Sequence, residues 1–248
     1  AKKHFDFVWD RAWIYDSKLA VAADHNINRP LGWGLYYDVN NNCKNACING
    51  PAMIAAVLLY QIYDDESYLE KAKSIYNWQK EMLITMEGDS KGRVCDQWEW
   101  NEQENRYKLN WFAATSNQGT WIGACNLLYQ VTGNKQYYQD AYDTAEYAVH
   151  RMCNDRVIYF EGGYNKDLHG FKGIFMRWFG KFIRENHITD FDEWLILNAE
   201  TAWNNRNSEN LMWTEWENQT REHLNDHWGG EKAFGCSTAV SLLYNCLK

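Results

Sequence analysis

Proline is almost missing from this chain, with only Pro30 and Pro51 in 248 residues, so long uninterrupted helices are permitted nearly everywhere. No apolar run approaches the ~20 residues of a membrane span, and no targeting segment is visible. Basic residues are outnumbered, 25 against 33 acidic, and the net charge of -8 argues against nucleic acid or an anionic membrane as the main partner. There is no CxxC for zinc or redox work, no phosphate-cradling glycine loop and no nucleophile elbow. Nothing calls for a cofactor or a metal. Sustained period-two alternation is also lacking, which predicts an all-α fold.

What is present is a repeat. Leu58-Leu59-Tyr60-Gln61 runs on through Asp64-Asp65-Glu66-Ser67-Tyr68-Leu69 to Ala72, and 69 positions later Leu127-Leu128-Tyr129-Gln130 runs on through Gly133-Asn134 to Ala141. A third copy begins at Leu242-Leu243-Tyr244. Such spacing implies stacked units of one helical hairpin each. The chain is long enough for one domain, 1–248, with a sizeable core. It opens at Ala1 inside a helical pattern, which reads as a processed product or a fragment truncated at its N-terminus.

Helical periodicity covers about eight segments: 1–15, 50–63, 66–86, 117–132, 136–153, 171–186, 190–205 and 232–247. Thr189 with Asp192 resembles a capping box at the start of the seventh. Tight connections alternate with long ones at roughly 16–49, 87–116, 154–170 and 206–231. This predicts a toroid of hairpins with short turns on one face and a functional site among the long loops on the other. Seven of the 14 tryptophans fall in those loops: Trp33, Trp98, Trp100, Trp111, Trp213, Trp216 and Trp228. Flat rings beside Asn, Asp and Gln suit a sugar cleft, and the bland reading is loop anchoring.

Asp64-Asp65 looks like a glycosidase carboxylate pair, but its repeat equivalent is Gly133-Asn134, which suits a turn and helix cap. Asp96 and Glu99, among loop aromatics, are better carboxylate candidates, with a solvated loop charge as the alternative. Lys44-Asn45, Asn49-Gly50, Asn117-Gln118-Gly119 and Phe171-Lys172-Gly173 stand before three successive inner-type helices, whose free N–H groups would point into the cleft. His223 and His227, with Asp226 between them, read as solvated loop histidines, and Arg177 as an ion-pair partner. The seven cysteines (Cys43, Cys47, Cys95, Cys125, Cys153, Cys236 and Cys246) cannot all pair. Cys43 with Cys47, or Cys95 with a loop partner, could bridge in a secreted protein. The sequon Asn218-Gln219-Thr220 leans the same way, toward an extracellular or cell-wall location.

The ordered series Trp33-Gly34-Leu35-Tyr36-Tyr37, Lys44-Asn45-Ala46, Asn49-Gly50, Tyr68-Leu69-Glu70-Lys71-Ala72, Val94-Cys95-Asp96, Asn117-Gln118-Gly119 and Phe171-Lys172-Gly173-Ile174-Phe175 resembles glycoside hydrolase family 76, the endo-α-1,6-mannanases and related fungal cell-wall enzymes. The resemblance implies an (α/α)6 barrel, of which this chain would supply about eight of twelve helices. It also implies retaining hydrolysis of α-1,6-linked mannan by two carboxylates about 5–5.5 Å apart. In the family these are adjacent aspartates upstream of the helix that opens this chain, so no residue here is assigned a catalytic role. Asp96 matches a cleft-lining aspartate and Asn117-Gln118 a cleft loop. With Trp98, Trp33, Tyr36, Lys44, Asn45, Asn49 and Lys172, they form the expected substrate-binding set. The expected partners are α-mannan or manno-oligosaccharide and the missing N-terminal segment. A non-catalytic glycan-binding remnant and a cell-wall mannan transglycosylase remain open alternatives.

Overall fold

The two copies of the repeat fold into the same hairpin. In the computed structural model, which describes residues 1–162, 166–222 and 232–246, α2 (Ala46–Tyr63) ends at Asp64 in a left-handed conformation with φ 54°. The Asp64 N–H donates to Tyr60 O at 2.8 Å. Asp65 then caps α3 (Glu66–Leu83), its carboxylate accepting from the Ser67 N–H at 3.0 Å. In the second copy, α4 (Thr115–Thr132) ends at Gly133 with φ 68°, whose N–H donates to Tyr129 O at 2.8 Å. Asn134 caps α5 (Lys135–Arg151) by accepting from Gln136 N. The adjacent aspartates are therefore a turn residue and a cap.

Four further α-helices complete the described set: α1 (Lys2–Ala12), α6 (Phe171–Glu185), α7 (Asp192–Asn204) and α8 (Lys232–Cys246). They alternate, α2, α4, α6 and α8 packing side by side as an inner row while α1, α3, α5 and α7 lie outside. Glycine sets the inner spacing. A Cβ on Gly50 would meet Thr120 Oγ1 at 2.7 Å, and one on Gly119 would meet Phe175 Cα at 2.5 Å. Each inner helix thus lays its first turns directly against the next. This is an α/α toroid architecture, with the apolar core between the two rows. The exposed large apolar side chains that lie on described helices belong to the first two and the last two, among them Phe7, Ile62, Ile196, Val240 and Tyr244.

The observed helices follow the sequence reading with shifted ends, α1 stopping at Ala12 and α3 at Leu83 rather than at 15 and 86. α2 starts at Ala46 rather than 50, because the Asn45 side chain accepts from Ile48 N and Pro51 is tolerated inside the helix. α7 starts at Asp192 with Phe191 at its cap and no side-chain cap, so Thr189 does not form the expected box. α2 is also long and apolar enough by composition to cross a membrane, with a mean hydropathy of 1.4, although no equally long run stood out in the sequence. Here it packs as an inner helix against α3 and α4.

The long connections are not structureless. They carry β1 (Asp16–Ala22), β2 (Ile27–Gly32), β3 (Cys43–Asn45), β4 (Gln97–Asn101) and β5 (Arg106–Asn110), joined in one sheet of order β2-β1-β5-β4-β3. β6 (Cys153–Asn154) and β7 (Val157–Ile158) form a separate small hairpin. β5 does alternate, Tyr107 and Leu109 inward and Arg106, Lys108 and Asn110 outward to varying degree, but five residues are too few to register as sustained period two. Replacing Gly119 by alanine should destabilise the fold by about 1–3 kcal/mol, because the new methyl meets Phe175 backbone rather than a movable side chain. Urea unfolding of the two proteins measures it.

Candidate functional site

Where three of the long loops return to the helices, one buried residue is held by a related set of bonds. Leu35 bridges Trp13 at the exit of α1, Val94 bridges Ile84 at the exit of α3, and Ile158 pairs with Cys153 at the exit of α5. The next residue in each case donates to the end of the outer helix: Tyr36 N to Ala12 O, Cys95 N to Leu83 O and Tyr159 N to Met152 O. The inner helix holds the other edge. Asn49 accepts from Leu35 N at 3.0 Å and donates to Leu35 O at 3.1 Å. Gln118 accepts from Val94 N and donates to Val94 O, both at 2.9 Å. At the third position Lys172 donates to Ile158 O at 2.8 Å, while Asn198 of α7 accepts from Ile158 N at 3.0 Å. A primary amide can imitate the edge of a strand, offering one acceptor and one donor at the right separation.

Several expected binding residues are buried in the fold and bonded to its backbone. Asn49, Gln118 and Lys172 have 0% exposure, and Asn45 is a helix cap. Lys44 is equally buried and donates to Ile14 O at 2.7 Å and Gly32 O at 2.6 Å. Burial, opposed by Asp16, pushes its ammonium down to about 7. Trp98 is fully buried, with its indole N–H donating to Met82 O at 2.7 Å, and Trp213 and Trp216 are buried as well. Trp100 and Trp111 are half-buried against Tyr107 and His25. Tyr36 donates to Asp16 beside Tyr107, whose hydroxyl lies 2.8 Å from the same carboxylate. Trp33 is half-exposed but lines a different groove, against α3. Trp228, His223, Asp226 and His227 lie outside the described residues. All seven cysteines are free thiols, including Cys43 and Cys47.

Asp96, at the N-termini of α2 and α4, is an expected residue that stays partly open. Asp96 is half-buried, its backbone pinned by Ala46 N to Asp96 O at 2.8 Å and Asp96 N to Asn110 O at 3.2 Å. Its carboxylate accepts from the Asn117 amide at 3.0 Å. Burial and the neighbouring Glu99 hold the Asp96 carboxyl above the ordinary range, against the pull of Asn117. A second carboxylate, which no motif signalled, stands at the start of α4. Glu161 accepts from the Thr115 N–H at 2.6 Å, serving a helix start that has no side-chain cap of its own. Burial raises its carboxyl, while Thr115 and Lys172 oppose the rise. Lys172 is pushed down to about 8 by burial, held up in part by Glu217 and Glu161. Its ammonium sits 4.4 Å from the Trp216 ring centre.

The sequence profile of Glycosyl hydrolase family 76 matches residues 7–244. The chain belongs to that family. Among solved structures it is similar to the GH76A α-1,6-mannanase of Salegentibacter sp. HEL1_6, with 32% identity and a TM-score of 0.74 over 86% of this chain and 63% of that one. An inactive variant of the same mannanase, in complex with α-1,6-mannotriose, matches at 30% identity and a TM-score of 0.76 over 98% and 69%. The Lin0763 protein of Listeria innocua, at 22% identity, shares the fold with a TM-score of 0.78 over 98% and 64%. No curated protein matches the chain. The family 76 chain thus spans 63% of the length of the mannanase it resembles.

Two outcomes are expected of this family 76 site. Gln118→Ala leaves the buried N–H and C=O of Val94 without partners and should lower stability by about 2–4 kcal/mol in denaturant unfolding. Asp96→Asn should act in the opposite sense. A carboxyl raised in the fold above its ordinary 3.8 favours folding only while protonated, so that stability is lost as pH rises from there through the raised value. Thermal melts should find Asp96→Asn more stable than the parent at pH 7, with the difference vanishing as pH falls below about 4.

Proposed function

We propose that this chain forms the sugar-binding wall of a glycosidase acting on α-1,6-linked mannan, in an extracellular or cell-wall setting. The observation that carries the reading is family membership over residues 7–244, together with 30% identity to a mannanase complexed with α-1,6-mannotriose. The site chemistry supports it. Asp96 keeps part of its carboxylate open at the start of α2, where a carboxylate suits the hydroxyls of a pyranose, and Asn117, itself 1% exposed, holds that carboxylate in place. A carboxyl held partly out of water makes stronger hydrogen bonds to hydroxyls than a solvated one.

The retaining mechanism needs a nucleophile and an acid about 5–5.5 Å apart. Asp64 and Asp65 are engaged as turn and cap and supply neither role. On this reading the 248-residue chain binds manno-oligosaccharide and does not cleave it. Calorimetry with α-1,6-mannotriose should show binding that weakens about 10-fold or more in Asp96→Asn or Asn117→Ala, the effect of losing one charge-assisted bond. Chromatography of α-1,6-mannan incubated with the chain should show no released oligosaccharide. Absence of binding would overturn the function, and release of product would make Asp96 and Glu161 the carboxylates to replace.

A further inference from the structure

We propose a second sugar-binding platform on the outer side of the toroid, where Trp33 is the stacking surface for a neutral pyranose unit. It builds on the glycan reading above only for the choice of sugar. An open cleft of about 570 Å³ lies between the end of α1, the segment 29–33 and the outer helix α3. Asp96 and Asn117 are not among its lining residues.

Trp13 and Trp33, which line it, belong to a ladder of rings that starts at Trp9. Trp9 and Trp13 stack with centres 4.6 Å apart and planes 12° apart, and Trp13 and Trp33 continue at 6.0 Å and 12°. Tyr15 meets Trp33 edge-on at 5.6 Å. Trp33 and Tyr15 end this ladder with 50% and 49% of their surface open. A ring held flat by stacked neighbours loses little freedom when a sugar lies on it, and the C–H face of a pyranose is the apolar partner such a surface fits.

Loop anchoring does not account for Trp33, because the segment that bears it is fastened by other groups. Trp78 donates to Leu31 O at 3.0 Å and Lys44 to Gly32 O at 2.6 Å. Gly34, with φ +150°, lies so close over the Trp78 ring that a Cβ would sit 2.7 Å from it. Asn49 then grips Leu35 from both sides. The indole is left facing water on a rigid strip of backbone.

Polar groups stand around it at the positions a sugar needs. Ser74 and Asn77, one turn apart on the exposed side of α3, line the cleft. Arg29 donates to Glu81 O at 3.2 Å and pairs with its carboxylate at 3.3 Å, closing the rim with one charge of each sign. Aromatic floor and hydroxyl-binding rim together favour an uncharged carbohydrate over an apolar helix or an anion.

Fluorescence and calorimetric titrations with α-1,6-mannotriose and, separately, β-1,4-linked cellotriose test this on the 248-residue chain. The expected result is a binding phase weakened 10-fold or more by Trp33→Ala and by Asn77→Ala, partly retained in Trp33→Phe, and unchanged in Asp96→Asn and Asn117→Ala. Far-UV circular dichroism confirms that each variant is folded. Trp33→Ala and Trp33→Phe binding both sugars as the parent does would overturn the platform. Mannotriose binding lost only in Asp96→Asn and Asn117→Ala would leave the central cleft standing and remove the platform. Cellotriose binding that depends on Trp33, with no mannotriose binding, would support the platform and overturn the mannan reading. Failure of either sugar to bind the parent chain would overturn both.

Discussion

Three of the long loops depend on one kind of hydrogen bonding: a side chain of the helices, in each case one near the start of an inner helix, holding the backbone of a single buried loop residue. Asn49 does this for Leu35 and Gln118 for Val94, each from both edges, while Lys172 and Asn198 divide the task at Ile158. The loop residue is at most 1% exposed in all three places, so its peptide groups have no water to turn to. Without a partner they would oppose folding by more than one such bond contributes. The amide resolves this, and the outer helix end resolves it on the other side. Three of the four long loops are thereby fastened at one point to both rows of helices, and the first two of them build the five-stranded sheet from their remaining residues.

The same arrangement explains why so little of the polar content is available to a ligand. Groups that look like recognition chemistry in the sequence are consumed in holding chain to chain. Lys44 and Lys172 show how far this goes, since both ammonium groups are buried and held on backbone carbonyls, where burial favours the neutral form. Asp96 differs because only its backbone is fully engaged. Its carboxylate has one protein partner, Asn117, and keeps contact with the solvent side. The glycines complete the picture. Gly50 and Gly119 follow directly after the gripping amides, and their missing side chains let neighbouring inner helices approach to backbone contact.

Much of this was legible as a pattern and misread in meaning. The 69-residue spacing of the Leu-Leu-Tyr-Gln segments also separates Asn49-Gly50 from Gln118-Gly119, so these dipeptides belong to the repeat as surely as the turns do. The turn assignment of Asp64-Asp65 follows from comparing copies, because φ near +55° and a cap are local demands that Gly and Asn meet equally well. The dipeptides carry no such local signature. An amide binding a distant backbone and an amide binding a sugar have the same sequence appearance. Trp98 and Trp33 make the same point: both are loop tryptophans near polar residues, yet one is sealed under β4 against α3 and the other lies half in water.

Glu161 had no signal at all, since its role at the Thr115 N–H joins positions 46 residues apart through a loop without periodicity. The strands were hidden for a related reason. Their length of two to seven residues is too short to establish alternation, and the pairings β1–β5 and β3–β4 join strands from different loops. By itself, then, the sequence determined the helices, the hairpin turns and the repeat, because each follows from propensities and capping within a few residues. Which polar side chains face a ligand and which face a peptide group was decided by the tertiary structure, because burial is a property of what the rest of the chain brings alongside.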